Sequence, residues 1–169
     1  MMLLPEKKGA ILASSVYINN VLSADEAEIT PPDVEFLTAT LQASGELEVP
    51  LGGLTTAMEF GISTQGISNR MSALAQPEMK TVVCNAVQQV VGIDGAISNE
   101  LVKYTVTGFG KKNPSTPTKQ GERSTQEYTI SVVSYKQVVN GDVITNINKL
   151  TGDCVVNGVN YGTSIRKLL

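Results

Sequence analysis

The residues able to do chemistry are few, and the commonest one is missing. The sequence contains no histidine, which removes the usual general base and zinc ligand and with them the H-E-x-x-H metalloproteases and every Ser-His-Asp triad. Glu46 and Glu48, or Asp25, Glu26 and Glu28, stand close enough in sequence to hold Ca²⁺ or to act as an acid–base pair. No D-x-D-x-D-G loop accompanies them, and acidic residues in turns and on strand faces are ordinarily plain surface. Gly110-Lys111-Lys112 invites a phosphate but lacks the G-x-x-x-x-G-K-[ST] spacing and joins two strand-like runs, without the strand-to-helix step that a P-loop needs. Cys84 and Cys154 are far apart, form no C-x-x-C pair, and read as reduced packing residues. No enzyme, metal or cofactor is expected from these residues.

The elements that carry them are mostly strands. Aromatic residues make up 5% with no Trp, and 41% of the chain is apolar, a composition that with abundant Gly, Ser, Thr, Val and Asn suggests a turn-rich β protein with one core. A single domain over residues 1–169 is expected, with residues 1–10 as an extended arm. The start, MMLLPEKKGAILASS, has no apolar core of signal-peptide length, and no run approaches the roughly 18 apolar residues of a membrane span. A soluble protein made in the cytoplasm, without a membrane anchor, is the expectation.

Along the chain, Val16–Asn20 and Ala27–Thr30 read as short strands and Pro31-Pro32 as an extended turn. Val34–Ala43 reads as a strand with Leu37, Ala39 and Leu41 on one face and Phe36, Thr38 and Thr40 on the other. The run Thr55–Ile62 places Met58, Phe60 and Ile62 inward. Thr64 is expected to cap a short helix carrying Ile67, Met71 and Leu74 and stopped by Pro77. Three longer strands follow, near Lys80–Val91, Leu101–Phe109 and Thr125–Val139, and Asn140-Gly141 and Asn157-Gly158 predict two-residue hairpin turns because both central residues must take positive φ. The strand from Thr81 to Val91 is apolar on both faces, which fits either a central strand covered within its own chain or a face packed against another subunit.

Charge is segregated. No Lys or Arg occurs between Gly9 and Asn69, and residues 1–100 hold 12 acidic and 4 basic side chains against 4 and 9 in residues 101–169. The basic residues are dispersed, with few aromatics beside them, so a sequence-specific nucleic-acid face is not expected. Between two strand-like runs lies GKKNPSTPTKQGERST, residues 110–125, a polar, proline-stiffened loop longer than a compact domain usually keeps without function. Lys111, Lys112 and Lys119 of this loop are expected to face acidic residues of a neighbouring copy, Glu46 and Glu48 first, at an inter-subunit contact.

The order Lys119-Gln-Gly-Glu122, Tyr128–Lys136, Asn140-Gly141, Ile147-Asn148, Asn157–Tyr161 and Ile165–Leu168 resembles the C-terminal half of the major tail tube proteins of P2-like contractile phages. The N-terminal half is similar in outline, through Tyr17, Pro31-Pro32, Gly45, Val49–Gly52, the strand to Ile62 and the helix before Pro77. Asp33 and Glu35 depart from it, standing where that family usually carries basic residues. The resemblance implies a mainly β fold, an antiparallel β-sandwich or partly closed barrel with one short flanking α-helix, closing into hexameric rings. It further implies that the rings stack head to tail into the hollow inner tube of a contractile phage tail or phage-derived injection particle, as in contractile bacteriocins and type VI secretion, with no catalysis. Implied partners are the chain itself, a tail sheath protein, a tape-measure protein and a baseplate hub, with DNA passing through the lumen of a virion without specific binding. A DNA conduit needs a neutral or acidic inner wall, since each neutralised phosphate adds to retention. The alternative reading is a free-standing β-sandwich that binds glycan or protein through its loops.

Overall fold

The computed structural model describes residues 6–169. Its strands are β1 (Lys7–Ile18), β2 (Val21–Asp25), β3 (Glu28–Thr30), β4 (Phe36–Ala43), β5 (Gly45–Thr55), β6 (Glu59–Gln65), β7 (Met79–Val91), β8 (Ile97–Gly110), β9 (Thr125–Val139), β10 (Asp142–Asn148), β11 (Asp153–Val156) and β12 (Val159–Asn160). A 3-10 helix spans Asn69–Ala75 and one short α-helix, α1, spans Tyr161–Arg166. Of the expected arm, residues 1–5 lie outside the described residues, and residues 7–10 open β1.

Ten strands form one antiparallel sheet in the order β12-β11-β10-β9-β8-β7-β1-β2, with β6 branching from β9 and β3 from β6. The 15-residue β9 makes the branch: Thr125–Ser131 pair with β6, and Ile130–Val139 pair with β8. Ile130 and Ser131 pair on both sides, and a register shift opposite Thr107 and Gly108, between Val132 and Ser134, follows directly; a bulge of this kind bends a strand and increases its twist. The sheet does not close into a barrel; the fold is an antiparallel sandwich. Its core joins Val16, Ile18, Val82, Cys84 and Val106 to Phe60, Ile62, Tyr128, Ile130, Met71 and Leu74. Met58, Phe60 and Ile62 are all buried as their alternation required, although Met58 lies just before β6.

Four local expectations change. Asn19 and Asn20 do not continue the first strand; with φ of 48° and 67° they make a tight turn from β1 to β2, a conformation that Asn adopts more readily than other side chains. The expected helix after Thr64 begins later and is 3-10: Thr64 remains in β6, Ser68 is the cap through Arg70 N–H at 3.2 Å, and Ile67 is 60% exposed. Its last carbonyls are taken by the buried Lys80 amine, which donates to Ala73 O and, at 3.0 Å, to Gln76 O. That fixes a single tight turn where Pro77 already prevents propagation. The α-helix instead is Tyr161–Arg166, capped by Asn160 Oδ1 accepting from Thr163 N–H at 3.1 Å. Finally, β8 starts at Ile97, so β7 and β8 form a 13- and 14-residue hairpin whose outer end extends past the core. The turns at Asn140-Gly141 and Asn157-Gly158 do take positive φ at both residues.

Both thiols are free and buried, Cys84 at 0% and Cys154 at 1% exposure. Burial pushes the Cys84 thiol up to about 12 and the Cys154 thiol up as well, so neither supplies the thiolate that reacts with alkylating agents at neutral pH. Native protein should therefore leave both unmodified by iodoacetamide over hours at pH 7.5, read by mass spectrometry. Both should label once the chain is unfolded in guanidinium; rapid labelling of the native protein would contradict this packing.

Candidate assembly surfaces

The β4–β5 ribbon stands apart from the sandwich. It pairs with no other strand among the described residues, and a two-stranded hairpin alone is marginal in water. Its register sets Ala39 opposite Val49 and Leu41 opposite Leu47 on one face, with Thr40 opposite Glu48 and Gln42 opposite Glu46 on the other. The first face is apolar, the second polar and acidic. Leu41 is 53% and Leu47 51% exposed, and Leu37 adds to the same uncovered face.

The ribbon is clamped at its base, not at its tip. Gly52 and Gly53 leave room for α1: a Cβ at Gly52 would lie 3.3 Å from the Tyr161 ring, and one at Gly53, whose φ is +88°, 3.1 Å from Ile165. Phe36 and Tyr161 meet edge to face at 6.1 Å. On its other side α1 is held by Arg166 Nη2 donating to Asp153 Oδ1 at 2.7 Å, and Gly162 lies directly on the Gly152 carbonyl, where no side chain fits. Hydrogen bonds from Thr151 and the nearby Arg166 charge hold the Asp153 carboxyl below its usual range.

Residues 111–124 run without helix or strand. Lys111 pairs with Glu59 of β6, and Lys119 Nζ pairs with Glu122 of its own turn at 2.9 Å. Lys112 is exposed and forms no ion pair among the described residues. Glu48 accepts from Thr38 Oγ1 at 2.7 Å across the ribbon, and Glu46 is exposed at its tip. Within one chain, the loop lysines and the ribbon acids are thus not brought together.

Sequence reasoning missed three features. At the outer end of the β7–β8 hairpin, the nearly buried Glu100 accepts from Lys8 Nζ at 2.8 and 2.9 Å and from Gln88. The Lys8 hydrogen bond, then that from Gln88, lowers the Glu100 carboxyl, and the same bond raises the Lys8 amine. This cluster ties the start of β1 to β7 and β8. A groove of about 430 Å³ is lined by Asp25, Glu26, Thr64, Arg70 and Arg123; its mixed charges hold no nucleophile–base pair. Across β3, β6 and β9, Glu28, Ser63 and Glu127 share one outward row, and Thr30, Gly61 and Thr129 the next. Such rows become visible only once the strand register is fixed. Among the described residues, no group of three or more His, Cys, Asp or Glu converges to hold a metal, and no helix is long and apolar enough to cross a membrane.

The chain matches the family model of phage tail tube protein FII over residues 9–169. It is similar to a chain in the cryo-EM structure of an extracellular contractile injection system, the PVC sheath/tube terminator in extended state. The TM-score is 0.52 at 12% identity, over 74% of this chain and 92% of that one, a likeness that speaks to the fold alone. No curated protein matches the chain.

Proposed function

The chain belongs to the phage tail tube protein FII family, and from that premise we propose that its copies close into hexameric rings stacked head to tail. The tail tube role is structural. The stacked rings would form the hollow inner tube of a contractile phage tail or phage-derived injection particle, with a sheath protein outside, a tape-measure protein within and a baseplate hub at one end. It works by presenting repeating surfaces and carries out no reaction of its own.

The observation that supports self-assembly most directly is the clamped β4–β5 ribbon, which holds an apolar Leu37-Ala39-Leu41-Leu47-Val49 face away from its own core. A head-to-tail array needs two unlike, complementary surfaces on each protomer, and a projecting ribbon is one of them. The outward rows of β3, β6 and β9, with Glu28, Glu127 and small hydroxyl side chains, have the acidic, smooth character a DNA conduit requires. Sedimentation velocity on the purified protein tests this reading. The expected result is a concentration threshold above which the 17.9 kDa chain shifts into particles many times larger. A 17.9 kDa species at every concentration would favour a free-standing binding module.

A further inference from the structure

The outer end of β1 is weakly laddered and buries nothing in the core. β2 pairs with β1 from Ser15 to Ile18, so residues 7–12 lie at an edge of the sheet, where β7 is their one partner strand among the described residues. Two register shifts, between Lys8 and Ile11 and between Ile11 and Ala13, each give β1 one residue more than β7, and each interrupts the ladder. Lys7 and Lys8, beyond both shifts, pair with Val91 and Val90. Every residue from Lys7 to Ala13 is exposed, and β1 enters the core cluster at Val16. Against this stands one built contact. Glu100 of β8 is 8% exposed, and its carboxylate accepts from Lys8 Nζ at 2.8 and 2.9 Å and from Gln88 Nε2 of β7, the strand between them. Gln88 stands opposite Glu100 and Lys8 opposite Val90, so the Lys8 side chain crosses β7 diagonally to reach the carboxylate. Lys8, Gln88 and, through Lys8, the exposed Glu6 at 3.7 Å are the groups that act on Glu100.

A carboxylate taken out of water is costly unless it is paired and hydrogen-bonded, and Lys8 is both the cover of Glu100 and its counter-ion. We propose that Lys8, Glu100 and Gln88 form a charge latch that holds the outer end of β1 on the edge of β7, and that opening the latch releases residues 7–12 while the sandwich stays folded. The sandwich survives because none of the released residues belongs to its core. Opening bares β7 from Gln88 to Val91, leaving a row of unpaired N–H and C=O groups to which another strand can add. The latch is a property of one protomer and is independent of the tube reading. Acid works it. Hydrogen bonds from Lys8 and then Gln88 hold the Glu100 carboxyl below its usual range, so its contribution to docking is complete above the ordinary glutamate value and is lost as pH falls through the lowered one. Without Lys8 the sign reverses, because protonation then neutralises a covered carboxylate that has no counter-ion.

Hydrogen exchange of the full chain, kept dilute enough to be monomeric, tests the latch. Protection factors of the amides of residues 7–12 and 88–91 are compared with those of the core strand β9. Lys8→Met keeps an apolar stem without the charge and should raise the opening equilibrium roughly tenfold or more at pH 7, with β9 unchanged. Lys8→Met combined with Glu100→Met removes both charges and should return opening to within about threefold of wild type, since replacing both partners of a buried pair by apolar groups is nearly neutral. Between pH 7 and roughly pH 3.5, below the ordinary glutamate value of about 4.3, opening should rise in wild type and fall in Lys8→Met. Unchanged protection in Lys8→Met would assign the hold to the backbone ladder, and a double variant as open as Lys8→Met would assign it to something other than charge; either result overturns the inference. A pH trend of the same sign in both proteins would do so as well. Loss of protection in β9 in step with residues 7–12 would also overturn it, because the segment would then open only with the whole fold.

Discussion

Replacing Leu41 and Leu47 together by Asp is expected to yield a folded monomer that does not polymerise. The two side chains face each other across the β4–β5 ribbon, each about half exposed, and neither belongs to the buried core. Removing them costs the isolated protomer little, since surface substitutions away from special features usually change stability by less than about 0.5 kcal/mol. In the proposed assembly they would be covered. Fully burying an exposed leucine is worth about 1.5–3 kcal/mol, so covering the exposed half of two such side chains is worth about 1.5–3 kcal/mol in each contact, and the two carboxylates add their own desolvation cost. At 1.4 kcal/mol per decade, the lost burial alone raises the critical concentration by a factor of about 10 to 10². Pelleting across a concentration series measures it, and an unchanged melting curve by circular dichroism shows that the fold survives. Wild-type polymerisation by the double variant would place the ribbon outside the interface.

Gly110→Ala should instead damage the protomer itself, with a loss of about 3 kcal/mol or more in urea unfolding. At this position β8 passes directly beneath the end of the 3-10 helix, and an added Cβ would collide with the carbonyl oxygens of Leu74 and Gln76. Neither can yield, because Leu74 is fully buried and Lys80 ties Gln76 O and Ala73 O into the core. Overpacking a well-filled interior typically costs about 1–3 kcal/mol and more when only backbone can move. Gly61→Ala is the internal control: its Cβ would meet Thr30 at 3.4 Å, an ordinary contact, and should be nearly neutral. Equal melting of Gly110→Ala and wild type would mean that β8 does not approach the 3-10 helix as described.

Leu41, Leu47 and Gly110 also mark what was legible in the sequence. Alternation in β6 and β9 and the Asn-Gly turns are local signals, and they located Phe60, Ile62, Thr125–Val139 and both hairpins. The amphipathic pattern of Leu37, Ala39 and Leu41 was likewise readable. That their face meets no core of its own was not, since periodicity reports which residues share a face and is silent about what covers it. Gly110 read as the edge of a loop, and its need for a missing side chain arises from a helix 35–41 residues earlier in the chain. Asn19-Asn20 and the 3-10 helix failed for a different reason: a turn without Gly, and a helix whose last carbonyls are taken by the Lys80 side chain of the next strand, carry weak local signatures. For the candidate surfaces, segregated charge was visible as composition, but only the register of β7, β8, β9 and β10 gathered Lys103 and Lys136 onto one apolar face.

Negative-stain electron microscopy of the purified chain at high concentration shows whether it stacks into tubes. Hollow tubes of constant diameter are expected, with end-on views that show six-fold rings and a regular axial repeat along the side views. Uniform small particles at every concentration, or closed rings that never stack, would contradict a head-to-tail tube protomer.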